Sequence, residues 1–220
     1  MHKEILMANG MTAQSGTQKA TIREENERLI LEAAEDVFAN YGFEGATTSR
    51  VARQAGIPKA NLHYYFPTKE DLYRRVIDNI FNIWLEAADS FDDCDDPVEA
   101  ISRYISKKMD ISRENPKGSK VWANEIIQRA PIIQDYLETT LKSWTRSRAT
   151  VIQKWIDEGK INDIKPDYLL YMIWSTTQHY ADFGHQVKTL NDGKDLSDAQ
   201  FEEAKLNVTE IILRGIGAIR

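Results

Sequence analysis

Residues 47–72 read TTSRVARQAGIPKANLHYYFPTKEDL, and their punctuation decides the fold. Thr47 is placed to cap a helix, because its hydroxyl can accept an amide proton that the first turn leaves unpaired, and Val51, Ala52 and Ala55 then supply a short apolar face. Gly56 stops that helix, since glycine takes the left-handed geometry of a helix C-terminus. Pro58 opens the next helix with no amide proton to lose. A small residue at Ala52, a glycine at Gly56 and a branched apolar residue at Leu62 suit two helices that cross closely. This is the pattern of a helix-turn-helix, whose second helix enters the major groove of DNA.

Working outward, Ile30, Ala33, Ala34, Val37, Phe38 and Tyr41 predict one face of a helix over 21–41, ended by Gly42. Behind the motif, Thr68 and Asp71 form a capping box for a further helix, with Leu72, Val76, Ile80, Ile83 and Trp84 on one side. That helix is long enough to leave a small domain and enter a larger one, and is a candidate mechanical link. Residues 1–20 are polar and aperiodic and are expected to be a disordered arm; Met7 or Met11 could equally be the start. Its basic end, Lys19 to Arg23, could reach a minor groove.

The acidic loop Asp89 to Asp96 lacks the glycine and terminal glutamate of a calcium loop, and Asp96 before Pro97, with Glu99 after it, reads as a helix cap. Helices are expected over 97–114, 117–129, 131–158, 166–189 and 197–217, broken at Pro116, Pro131, Gly159 with Pro166, and Asp192-Gly193. The predicted class is all-α with about nine helices. Its organisation is an arm at 1–20, a helix-turn-helix domain at 21–68, and a ligand-binding and dimerisation domain at 69–220.

Over 220 residues the net charge is −6. Residues 1–75 hold 10 basic and 10 acidic residues, and the other 145 hold 18 and 24. DNA affinity must then come from a local basic face, and it should be markedly salt-dependent. The single cysteine, Cys94, excludes an intrachain disulfide. No run approaches the roughly 18 apolar residues of a membrane span, so a soluble, cytoplasmic protein is expected.

On the helix after Pro58 the outward residues are Lys59, Ala60, Asn61, His63, Tyr64 and Tyr65. Asn61 can read an adenine edge, Ala60 can pack on a thymine methyl, and Lys59 can reach guanine or phosphate. The tyrosine hydroxyls and Lys69 suit phosphates, and Thr47, Thr48 and Arg50 complete the candidate DNA-facing set. Ser175, His179 and Asp182 share a helical face and imitate a hydrolytic triad. A mid-helix serine has no strained elbow and no free amides for an oxyanion hole, and the sequence has no phosphate-cradling glycine loop or zinc-ligand spacing, so neither catalysis nor a cofactor is expected.

GFEGATTSRVARQAGIPKANLHYYFPTKEDLY, 42–73, resembles the N-terminal domain of the TetR family of bacterial repressors at Gly42-Phe43, Thr47, Ala52, Gly56, Tyr64, Phe66 and Lys69 to Leu72. A second resemblance, to a pyrimidine-responsive branch of that family, is carried by ENP at 114–116, AP at 130–131 and MIWSTTQHYADF at 172–183. Together they cover about residues 22–215. The resemblance implies a homodimer that joins through its last two helices, binds a palindromic DNA operator and responds to a small-molecule effector such as uracil or thymine. Two apolar stripes fit that expectation: Leu169, Leu170, Ile173 and Trp174, then Val208, Ile211, Ile212 and Leu213. Two-fold symmetry would set the reading helices about 34 Å apart, one turn of DNA.

Trp174 and Gln178, four apart, share a helix face. A flat pyrimidine edge with carbonyls beside N–H groups suits an indole to stack on and a carboxamide that both donates and accepts. The resemblance implies that both are pocket residues, together with Trp84; Tyr180 and Glu125 complete the candidate ligand set. Asn124 stands where that branch carries an apolar residue, which widens the expectation from uracil or thymine to other small aromatic metabolites. The other classes to separate are a helical hydrolase and an interaction protein that keeps the fold without binding DNA.

Overall fold

The computed structural model describes residues 21–87, 91 and 94–220, which form helices and turns with no strand. The expected arm at 1–20 and Asp89, Asp92 and Asp93 of the acidic loop lie outside the described residues. The chain divides into two compact units, Met1–Val76 and Ile77–Arg220.

The first unit holds α1 (His2–Gly45), described from Thr21 onward, α2 (Thr48–Gln54), α3 (Lys59–Tyr65) and the first half of α4 (Lys69–Glu86). Its core is Ile30, Ala34, Val37, Phe38, Val51, Ala52, Leu62, Leu72 and Tyr73, all buried. Burying a side chain such as Leu62 contributes about 1.5–3 kcal/mol. Local chemistry sets the helix ends as the sequence predicts. α1 breaks at Gly42 (φ 64°), the Thr47 hydroxyl accepts from the Arg50 amide at 3.2 Å, and Gly56 turns the chain with φ 69°. At the start of α4, Thr68 N donates to Asp71 Oδ2 (3.1 Å) and Asp71 N to Thr68 Oγ1 (3.0 Å), completing the capping box.

Two expected core positions are corrected. Tyr41 is 52% exposed, because the guanidinium of Arg50 lies 3.8 Å from its ring centroid and holds it at the surface. Ile83 is exposed as well; Leu72, Val76 and Ile80 are buried as predicted, and Tyr73, Ile77 and Phe81 are buried beside them, so the inward face of α4 is wider than the predicted one.

The second unit holds the rest of α4, then α5 (Pro97–Glu114), α6 (Pro116–Ile127), α7 (Gln134–Tyr136), a π-helical turn (Leu137–Leu141), α8 (Lys142–Asp157), α9 (Pro166–Asp182), α10 (Gly184–Leu190) and α11 (Asp198–Gly215). α9 is the central element: it packs on α5, α6, α8 and α11. Tyr104, Ile105, Met109, Ile152, Trp155, Leu170, Ile173 and Ile212 form the heart of its core. Asp96 caps α5 by accepting from Val98 N at 3.3 Å, and Ser197 with Gln200 forms a capping box on α11.

The helix expected over 166–189 is two helices, α9 and α10, separated at Phe183 just before Gly184. The helix expected over 131–158 starts later, at Gln134. After α6 the chain turns through Arg129 (φ 70°) and Ala130 (φ 53°), and the Glu125 carboxylate accepts from the amides of Ile132 (2.8 Å) and Ile133 (3.3 Å). In the π-helical turn the Lys142 amide reaches the Leu137 carbonyl, one residue beyond α-helical register.

Candidate DNA-reading helix and effector cavity

In the first unit Leu62 pins α3 to the core, which leaves Lys59, Ala60, Asn61, His63 and Tyr64 exposed on one short helix. Asn61 and Lys59, in its first turn, are free to reach base edges and phosphates. Thr47 is exposed at the start of α2, with Thr48 half-buried beside it.

Other members of the candidate set have partners within the protein. Tyr65 Oη accepts from Asn26 Nδ2 at 3.3 Å, and His63 Nδ1 donates to the Pro67 carbonyl at 3.2 Å. Arg50 covers Tyr41. Lys69 turns inward: its Nζ donates to the carbonyls of Phe43 (2.7 Å) and Ala46 (3.4 Å) and sits 4.1 Å from the Phe43 ring centroid. It ties the end of α1 to the start of α4.

In the second unit the chain closes around a cavity of 70 Å³ lined by aromatic side chains. α4 contributes Phe81, Trp84 and Leu85, α5 Tyr104 and Lys108, and α6 Trp122. The π-helical turn and α8 contribute Leu141 and Trp144, and α9 contributes Trp174 and Gln178. Four of the five tryptophans are here, while Trp155 is fully buried in the core. A water needs about 10–15 Å³, so the space is several waters in size.

The aromatic walls brace one another. Trp122 stacks against Phe81 (centroids 5.9 Å apart) and meets Trp84 edge-on at 5.2 Å, and Trp144 lies 6.0 Å from Trp174. Trp174 Nε1 donates to Tyr104 Oη at 2.8 Å, so that indole offers a ligand its ring and not its N–H. Gln178 is half-buried, and its carboxamide has no hydrogen-bond partner among the described residues. Lys108 is 3% exposed, with its ammonium 4.4 Å from the Trp84 ring centroid. Burial lowers its pKa to about 7, opposed by the charge of Asp182.

The structure therefore brings Trp84, Trp174 and Gln178 together and leaves Tyr180 and Glu125 outside the cavity. Tyr180 lines a separate groove with Arg113, Lys120 and His185, and Glu125 serves the turn after α6. Asn124, the departure noted in the sequence, is exposed and does not line the cavity. Lys108, Trp122 and Trp144 were not picked out in the sequence, because each sits on a different helix far from Trp174 in the chain.

The apparent triad does not assemble. Ser175 Oγ donates to the Met172 carbonyl at 3.1 Å, His179 stacks on Phe183, and Asp182 Oδ1 accepts from Ser119 Oγ at 2.5 Å. Among the described residues no helix is long and apolar enough to cross a membrane.

An exposed reading helix in a helix-turn-helix unit, joined to a helical unit with an aromatic cavity, defines a DNA-binding regulator with a ligand-binding domain. Residues 30–76 match the family described as "Bacterial regulatory proteins, tetR family" and residues 77–219 match "YcdC-like protein, C-terminal region". The chain belongs to the TetR family of DNA-binding transcriptional regulators and is not an enzyme. It is 36% identical over 210 residues to the HTH-type transcriptional regulator RutR of Escherichia coli strain K12, covering 96% of this chain and 99% of RutR. It is 24% identical over 196 residues to the uncharacterized HTH-type transcriptional regulator YfiR of Bacillus subtilis, covering 85% and 86% of the two chains. In fold it is similar to the putative transcriptional regulator SCO4942 from Streptomyces coelicolor (TM-score 0.68, 18% identity, 87% of this chain and 98% of that one). It is also similar to FadR from Bacillus subtilis, solved with stearoyl-CoA (TM-score 0.64, 19% identity, 88% and 99%).

Proposed function

We propose that the protein is a homodimeric repressor whose hold on a palindromic operator is released by a small flat heterocycle of the pyrimidine type. The observation that carries this reading is the cavity: a space walled by tryptophans, with the carboxamide of Gln178 at its wall and without a hydrogen-bond partner among the described residues. Stacking on Trp84 and Trp174 would hold the ring, and Gln178 would accept from its N–H while donating to its carbonyl. The similarity to RutR along nearly the whole chain supports the same reading.

On DNA, α3 lies in the major groove with Asn61, Lys59 and Ala60 at base edges, while Thr47, Thr48 and Tyr64 meet phosphates. Dimerisation uses exposed apolar residues of α9 to α11, among them Tyr168 (68% exposed), Met172, Phe183, Leu206 and Ile211 (69%). This face corrects the predicted stripes, since Leu169, Leu170, Ile173, Val208, Ile212 and Leu213 pack inward and Trp174 lines the cavity. Trp84 gives the effector its route to DNA: it lies on α4, whose first residues, Lys69 to Val76, belong to the DNA-binding unit.

Calorimetry with uracil, thymine and non-pyrimidine aromatics, joined to a gel shift on the protein's own upstream DNA, tests the proposal. Binding of a pyrimidine, with loss of the shifted band, is the expected result. A shifted band that only a different aromatic class releases would move the effector to that class.

A further inference from the structure

Lys108 fits poorly with a cavity meant for a neutral ring. The residue is 3% exposed and lines an aromatic chamber, with its ammonium 4.4 Å from the Trp84 ring centroid and no hydrogen-bond partner among the described residues. The charge that acts on it is Asp182 on α9, but that carboxylate is already engaged by Ser119 at 2.5 Å. Burial also raises the pKa of Asp182, against the Ser119 hydrogen bond and the charges of Lys108, His179 and Lys120. A buried charge left without a full partner is costly, and a charge-assisted hydrogen bond is roughly twice as strong as a neutral one. Gln178, which lines the same cavity, can satisfy a neutral lactam edge and does not call for a cation.

Resting on the proposed ring-binding function, we infer that Lys108 makes the cavity selective for an anionic heterocycle, one whose ring N–H or substituent is ionised at neutral pH. The ring stacks between the tryptophans, Gln178 pairs with its lactam edge, and Lys108 meets the side that carries the negative charge. The anion completes the pairing that Asp182 leaves unfinished.

The test compares uracil, neutral at pH 7, with barbiturate, a similar ring that is ionised at that pH, by calorimetry on the full-length protein. Barbiturate should bind at least tenfold more tightly. It should also draw protons from the buffer onto Lys108, seen as a binding heat that differs between phosphate and Tris; uracil should not. In Lys108→Met both the preference and the proton uptake should vanish, while Lys107→Met, an exposed neighbour on the same helix, should keep them. Gln178→Ala should weaken both rings alike and so preserve their ratio, a result that does not depend on Lys108→Met folding. Uracil bound as tightly as barbiturate by the unaltered protein would overturn the inference and leave the ring-binding function standing. Failure of both rings to bind would overturn the two together.

Discussion

Gln178 shows how much one side chain can decide. It is half-buried at a wall made of aromatic rings, and its carboxamide has no hydrogen-bond partner among the described residues. Replacing it by alanine should remove two hydrogen bonds to a pyrimidine, a loss of about 1–3 kcal/mol, read by calorimetry as affinity at least fivefold lower. Unchanged affinity would remove Gln178 from the site. Gly56 is decisive in a different way. Its φ of 69° is a conformation that other L-residues adopt at a cost of about 1–2 kcal/mol. A Gly56→Ala protein should lose roughly that much stability in urea denaturation, although no neighbouring atom lies within 4 Å of the added methyl. Thr47, Gly56 and the Thr68–Asp71 pair were legible in the sequence because a helix cap depends on residues within a few positions of itself. Trp122 and Trp144 were not, since nothing local distinguishes a cavity tryptophan from Trp155, which is buried outright.

At the level of elements, α3 and the walls of the cavity carry separable predictions. Asn61→Ala should cost about 1–3 kcal/mol of operator affinity and relax specificity at one base, whereas Lys59→Ala should lower the salt dependence if Lys59 meets a phosphate. Gel shifts at several salt concentrations separate the two. For α5, the lowered pKa of Lys108 fixes the sign of a stability effect. Between about 7 and its ordinary 10.5 the unfolded chain holds a proton that the folded chain has released. Stability therefore gains from this group as pH rises through that window, and the penalty is complete below it. Asp182, whose pKa is raised, acts oppositely at the acid end, where the folded chain holds the extra proton. Denaturation midpoints at pH 7 and pH 9 should show a rise from Lys108, and Lys108→Met should flatten it. Sequence periodicity found α9 and α11 but misassigned their faces. Both are apolar on two sides, so a stripe such as Val208, Ile211, Ile212 and Leu213 mixes core positions with one at the surface. It also ran α9 into α10, because Gly184 was not read as the break after Phe183.

For the whole molecule, regulation requires that the effector favour one arrangement of the dimer over the one that fits DNA. Moving a population from 1:99 to 99:1 takes a preference of about 5.5 kcal/mol, and a weaker preference leaves residual repression. The helix shared by the two units, α4, brings this to a physical element, with Trp84 near one end and Lys69 at the other. Breaking the exposed apolar face with Ile211→Glu should convert the dimer to a monomer in sedimentation and weaken operator binding, since one reading helix then acts alone. The most direct test of effector control is fluorescence anisotropy of the full-length protein on its labelled upstream DNA, with and without the ring that binds best by calorimetry. The account predicts salt-sensitive binding that weakens at least tenfold when that ring saturates the protein. Binding that stays equally tight with the ring bound would contradict it.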